Sequence, residues 1–268
     1  MDSFVSQFIL SLQRHYSPEL LSAITFIISA FSILILLRYF GALGLCVYSS
    51  LAVIISNIQV LKMAEFSFCP EPIPLGTVMF ATTFLVSDIL IEHYGHKAAQ
   101  QALWLSFFMQ IFVSLVMIIT LGHPVIDYDH VEPDMEKFLK ANDQAMLQLF
   151  SPSARILIAS LLAYFISQKF DIWVFRKIRD MSNGRLLWLR QNVSTALSGL
   201  LDNFIFSLIA WVILGPATLS LSLFFNSFVI ASYLVRAVVN IAGTPIMYLS
   251  YFFLPKDSIT SKNSSKIF

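Results

Sequence analysis

The chain is poor in charge: Asp, Glu, Lys and Arg make up 12% of its 268 residues, against roughly 25% in an ordinary soluble domain. The few charges balance to a net +1, so the electrostatic footprint of a nucleic-acid binder is missing and no nucleic-acid partner is expected. Cysteine is scarce too. Cys46 and Cys69 stand alone, without CxxC or metal-ligand spacing, which excludes a disulfide scaffold and a zinc site. No nucleophile elbow, phosphate loop or HExxH occurs, so an enzyme reading has little to stand on, no cofactor is implied, and the chain has no means of its own to hydrolyse ATP. The opening MDSFVSQFILSLQRHYSPE lacks the basic start, long apolar core and small-residue cleavage site of a signal peptide. There is no low-complexity tract and no internal repeat, so nothing supports an inverted-repeat architecture.

What is abundant is apolar surface. Hydrophobic residues make up 57% of the chain and mean hydropathy is +0.75, which defines a polytopic membrane protein. Its length accommodates six to seven helices of ~20 residues and no additional soluble domain. The expectation is all-α: one helical bundle over residues 1–268, with an amphipathic segment at 1–16 and an acidic extracytoplasmic loop at 123–150. In SPEL, Ser17 is an N-cap, Pro18 the first helical residue and Glu19 a carboxylate at the positive dipole end. Spans are expected near 20–37, 42–60, 75–92, 99–121, from 155 past Asp171, 186–214 and 226–254. A proline-rich loop, KMAEFSFCPEPIP, separates the second and third, a surface helix covers 134–149, and a short segment surrounds LSLFF.

One alternate set of loops holds Arg38, Lys97, Arg176, Lys177, Arg179, Arg185, Arg190, Lys256, Lys262 and Lys266, whereas the other holds Arg14, Lys62, Lys137 and Lys140 among many acids. By the positive-inside rule the C-terminus is cytoplasmic.

Hydrocarbon cannot satisfy polar groups, so those within spans must face the bundle interior or a cavity. They are Asn57, Gln59, Asp88, Glu92, Gln110, Arg155, Gln168, Asn192, Asn203, Asn226, Arg236, Asn240, Thr244 and a stripe on the sixth span. In that stripe Gln191, Ser194 or Thr195, Ser198 and Asp202 recur every three or four residues and share a face. Asp202 needs a partner, and Arg236 is the natural one; the pair reads as a structural ion pair or as a substrate contact. Asp88 and Glu92 lie one turn apart at a helix C-terminus, where the dipole disfavours carboxylates, before Gly95 as the terminating residue. They are either solvated or paired with Lys97, or functional. His93 and His96 sit around that helix end with no third soft ligand, and the loop acids Asp127, Asp129, Glu132 and Asp134 with His130 lack an EF-hand pattern, so no metal site is expected. Trp104, Phe108, Trp188 and Phe206 are candidate stacking surfaces beside the polar stripe.

The stretch FLVSDILIEHYGHKAAQQA, with its Ser-Asp pair before a Glu-x-Tyr-Gly turn, resembles the signature of the bacterial queuosine precursor transporters, inner-membrane proteins once grouped with vitamin uptake transporters. RILIASLLAYFISQKFDIWVFRKIR, WLRQNVSTALSGLLDNFIF and GTPIMYLSY resemble three further motifs of that family, in the same order, so the likeness covers about residues 75–255. Where the family pattern has Thr after the sixth-span Asp and Lys in the last span, this chain has Asn203 and Arg236. The resemblance implies import of 7-cyano-7-deazaguanine, its aminomethyl form or queuine across the bacterial inner membrane for tRNA queuosine modification. The implied substrate-binding residues are Asp88, Glu92, Gln191, Ser194, Asp202, Asn203 and Arg236, with membrane lipid as surroundings and a homodimer left open. The alternatives are the substrate-binding subunit of an ATP-driven vitamin importer, and a membrane enzyme using Asp88, Glu92 and His93.

Overall fold

The computed structural model describes residues 2–124, 126, 132–150, 154–213 and 232–255. Asp127, Asp129, His130, Asn226, the LSLFF segment and the tail lysines lie outside them, as does the side chain of Arg155.

Helix α1 (Asp2–His15) is followed by α2 (Pro18–Gln59), which starts as its sequence dictates: Ser17 Oγ accepts from the Leu20 N–H at 3.3 Å and Pro18 occupies the first turn. Within α2 the chain bends at Gly41, whose φ of 58° and ψ of −136° interrupt the helix; this left-handed backbone favours glycine, and it divides α2 into the two expected limbs. The proline-rich segment 62–74 is not a plain loop. It folds as an antiparallel hairpin, β1 (Met63–Phe66) with β2 (Cys69–Pro74), paired Met63 to Pro74, Ala64 to Ile73 and Phe66 to Cys69. Prolines suit a two-stranded ribbon, which has only edge strands. Buried Phe66 and Ile73 pack with Val78 and Val235, and Glu19 Oε1 accepts from the Ser67 N–H at 2.6 Å.

Helix α3 (Gly76–Tyr94) is the axis of the molecule. Every side chain from Ala81 to Ile91 is buried, because α2, α4 (His96–Leu121), α6 (Ala154–Met181), α7 (Leu187–Ser207) and α8 (Ser232–Leu249) all pack against it. Its acids therefore face protein rather than lipid. Gly95, at φ 88°, ends α3 as expected. Helix α5 (Pro133–Phe150) buries nothing. Past Ser207, α7 widens into a π-helical turn, Leu208–Ile213, and α8 ends in a 3₁₀ turn, Ser250–Phe253.

The main core joins Ile33, Leu37, Leu45, Leu85, Ile89, Leu103, Tyr164 and Phe175. Outside it, large apolar side chains such as Phe31, Leu43, Phe112, Ile119, Leu162 and Ile241 are exposed around the bundle. An apolar belt of this extent needs hydrocarbon around it. Pro18–Gln59, His96–Leu121 and Ile158–Met181 are long and apolar enough to cross a membrane on length and composition alone. The protein is a helical membrane protein.

Candidate functional site

Two polar assemblies occupy opposite ends of the bundle, joined by a seam along α7. Near the hairpin lies a cavity of ≈ 230 Å³ between α2, α3, α6, α7 and α8. That is below the ~300–1,000 Å³ typical of drug-sized ligand sites, and suits one flat heterocycle. Its lining runs from buried Asp202 and Asn203 out to exposed Leu61 and Met63. At its floor Arg236 Nη1 donates to Asp202 Oδ2 at 2.5 Å, and Ser167 Oγ donates to Asp202 Oδ1 at 3.0 Å. The Arg236 guanidinium lies 4.9 Å over the Phe80 ring, and its buried Nε has no hydrogen-bond partner. The expected Asp202–Arg236 partnership is present, and it lines a cavity rather than being sealed in core. Asn57, Thr77 and Phe206 add polar and aromatic wall.

From Asp202 the seam descends α7 with one rung per turn. Ser198 Oγ donates to Asp171 Oδ1 at 2.8 Å, and Thr195 Oγ1 donates to Asp88 Oδ2 at 3.2 Å. Ser194 and Gln191 are buried beside them, and Gln191 Oε1 has no partner. Gln168 on α6 donates to Thr83 on α3 at 2.9 Å. At 1.5 Å per residue, Arg190 lies about 18 Å along the axis from Asp202. There a second assembly closes the Gly95 end. Glu92 accepts from Arg190 Nη2 and from the Tyr251 hydroxyl, with Arg179 Nε 3.8 Å away. Arg190 also donates to the Gly184 carbonyl at 2.8 Å, and its guanidinium sits 5.3 Å over Phe175. His93 Nε2 lies 2.7 Å from Ser250 Oγ. The side chains of Arg190 and Glu92 are 1% and 8% exposed.

Of the residues expected from sequence, Asp202, Asn203 and Arg236 share the cavity, whereas Asp88, Gln191 and Ser194 lie in the seam and Glu92 in the closed end. Three expectations need correction. Lys97 does not pair with Asp88 or Glu92: Arg190 and Arg179 take Glu92, because α7 and α6 reach the C-terminus of α3 and the exposed Lys97 does not. Arg190 is not a loop charge. Asp171, which the expected fifth span runs past, is fully buried between α6 and α7. Trp104, Phe108 and Trp188 are about half exposed on the outer face, with Trp104 stacked on Phe108, and only Phe206 of the four reaches the cavity.

Phe80, Ser167, Arg190 and Tyr251 at the two ends, and Asp171 in the seam away from the cavity, are the residues that sequence reasoning missed. A signal existed for two of them. Arg190, Ser194, Ser198 and Asp202 form an unbroken i, i+4 series, and Asp171 continues the face of Tyr164, Ser167 and Gln168. Among the described residues no group of three or more His, Cys, Asp or Glu is arranged to hold a metal ion.

A bundle with an apolar belt, a polar cavity toward one end and a buried ionic lock at the other has the layout of a membrane transporter. The chain belongs to the family described as "Putative vitamin uptake transporter", whose profile matches residues 74–250, the stretch that holds α3 through α8. A Bacillus subtilis protein named "Probable queuosine precursor transporter" is 33% identical over 232 residues, covering 85% of this chain and 93% of that relative. A Haemophilus influenzae protein of the same name is 26% identical over 136 residues, 51% of each chain. No solved structure matches the chain.

Proposed function

We propose that the protein imports queuosine precursors, 7-deazaguanine bases, across the bacterial inner membrane, and that the cavity at Asp202 and Arg236 binds them. The observation that carries this reading is the ion pair itself, an acceptor pair and a donor fork facing each other in a cavity of heterocycle size. A 7-deazaguanine offers the matching edge. Its N1–H and exocyclic amine meet one carboxylate, and its O6 takes a guanidinium donor. The base enters by opening the pair: Asp202 accepts the two N–H groups, Arg236 turns its unpartnered Nε toward O6, Asn203 contributes a further polar contact, and Phe80 lies against the ring.

Seven spans follow if the two limbs of α2 count separately beside α3, α4, α6, α7 and α8. With the arginine-rich ends cytoplasmic, the hairpin and the cavity face outward, the C-terminus is inside, and the Glu92 lock closes the cytoplasmic exit. In this arrangement Ser194, Gln191 and Asp88 line the route from cavity to lock, and Glu92 is its gate. The similarity to the Bacillus relative supports the substrate class, since that protein's name carries it.

The test is salvage. In a bacterium unable to synthesise the precursor and lacking its own importer, expression of this protein should restore queuosine in tRNA when a 7-deazaguanine is supplied at low concentration. No restoration from the cyano form, the aminomethyl form or queuine at normal protein abundance contradicts the proposal.

A further inference from the structure

The substrate cavity leaves two carboxyl groups unexplained. Asp88 on α3 and Asp171 on α6 are both fully buried, midway along the seam, and accept from hydroxyls three residues apart on one face of α7, which sets them side by side. Neither lines the cavity and, among the described residues, neither is in an ion pair. Each has one oxygen held by an α7 hydroxyl, from Thr195 or Ser198, and one enclosed oxygen, Asp88 Oδ1 and Asp171 Oδ2, that meets no donor.

Among the described residues the surroundings supply no free cation. Arg190 is engaged through Nη2 by Glu92, which lies one turn of α3 from Asp88. Arg179 on α6 is beside Glu92, and Arg236 on α8 is on Asp202. The charged side chains that α2 and α4 bring toward this region, Arg38, His96 and Lys97, stand near the Gly95 end, with Arg38 bonded to the Leu254 carbonyl, and the buried Tyr48 hydroxyl of α2 is paired with Thr82 of α3. Two adjacent carboxylates shut away from water and from any free cation cannot both remain ionised; one proton held between them satisfies both bare oxygens.

We infer that Asp88 and Asp171 form a proton-binding site, separate from the substrate cavity, whose loading and release drive uptake. This rests on the transport reading above. With the proton shared, the pair carries a single negative charge and Arg190 stays on Glu92, keeping the lock shut. When the proton leaves toward the cytoplasm, two carboxylates face each other and attract the nearby guanidinium of Arg190, whose buried Nε–H has no partner in the locked state. Drawing Arg190 toward Asp88 removes it from Glu92, so proton release and opening of the exit become one event. Thr195 and Ser198, on the same face of α7 as Asp202, connect this site to the occupied or empty cavity.

Two measurements test it. The first needs neither substrate nor variant: pH-difference infrared spectra of the purified full-length protein in lipid should show a buried protonated carboxyl at mildly acidic pH that is lost on the alkaline side, and the band should vanish in Asp88→Asn and Asp171→Asn. A wild-type spectrum without a protonated carboxyl overturns the proton site, whatever the substrate. The second uses proteoliposomes and labelled 7-cyano-7-deazaguanine. Wild type should accumulate the base about tenfold per pH unit of inward proton gradient, the ratio one coupled proton supports. Asp171→Asn should retain exchange of internal for external base without a gradient and lose all gradient-driven accumulation. Accumulation by Asp171→Asn equal to wild type overturns the inference and leaves the transport reading intact. Absence of exchange by wild type with every 7-deazaguanine contradicts the transport reading alone, since the infrared result still decides the proton site.

Discussion

Breaking the Asp202–Arg236 pair separates a structural role from the proposed transport role. Asp202 is 3% exposed, so Arg236→Met strands a buried carboxylate and should cost about 3–5 kcal/mol of stability. The double replacement Asp202→Leu with Arg236→Met leaves no charge unpaired and should recover most of that loss, read as the thermal midpoint in detergent, yet still transport nothing. Recovery of uptake in the double variant would reduce the pair to a structural one. Glu92 supports a different test. Glu92→Gln keeps size but replaces one acceptor oxygen by a donor facing Arg190 and Tyr251, so the variant should lose stability, because buried Arg190 loses its counter-charge, and its exit should be loosened. In a background with Cys46 and Cys69 replaced by Ser, a cysteine introduced at Ser194 should react faster with a maleimide in inside-out vesicles when Glu92→Gln is present. Unchanged labelling would show that the cluster is not a gate.

The elements set where these residues meet, and α3 decides most of it. Its first residue, Gly76, lies so close to α2 that a Cβ there would stand 2.4 Å from the Ser56 carbonyl oxygen; small residues permit such approaches between membrane helices. Gly76→Ala should therefore push α2 outward, cost about 1–3 kcal/mol as an overpacked contact, and weaken uptake, because Ser56 and Asn57 are cavity wall. A thermal midpoint equal to wild type would contradict the close packing. Local features at this scale were legible in the sequence: the Ser17 cap, the break at Gly41 and the stop at Gly95 each depend on backbone rules acting within a few residues. The hairpin was not, since three prolines in thirteen residues carry the signature of a loop, and only tertiary packing of Phe66 and Ile73 shows why it forms ribbon. Arg190 was misread, and Asp171 passed over, for a related reason. A charge near the end of an apolar run looks solvated, and only the fold reveals that α3, α6 and α7 enclose it. The α7 stripe and the Asp202–Arg236 pair were readable because hydrocarbon forces such groups inward and few partners exist.

At the scale of the whole molecule, a cavity open toward the hairpin end and a closed far end fit one of the two states a carrier must visit. A cysteine at Asn57 should be labelled by a membrane-impermeant maleimide from outside the cell and protected by bound 7-deazaguanine, whereas one at Gly184 should be labelled only from the cytoplasmic side; the reverse pattern would invert the orientation. The central claim is that this chain alone carries the base through the Asp202–Arg236 cavity. It is tested most directly by uptake of labelled 7-cyano-7-deazaguanine into proteoliposomes holding only the purified protein, with no ATP, for wild type and Asp202→Asn side by side. The account predicts saturable uptake by wild type and none by folded Asp202→Asn. Wild-type uptake that requires an ATP-hydrolysing partner, or undiminished uptake by Asp202→Asn, would contradict it.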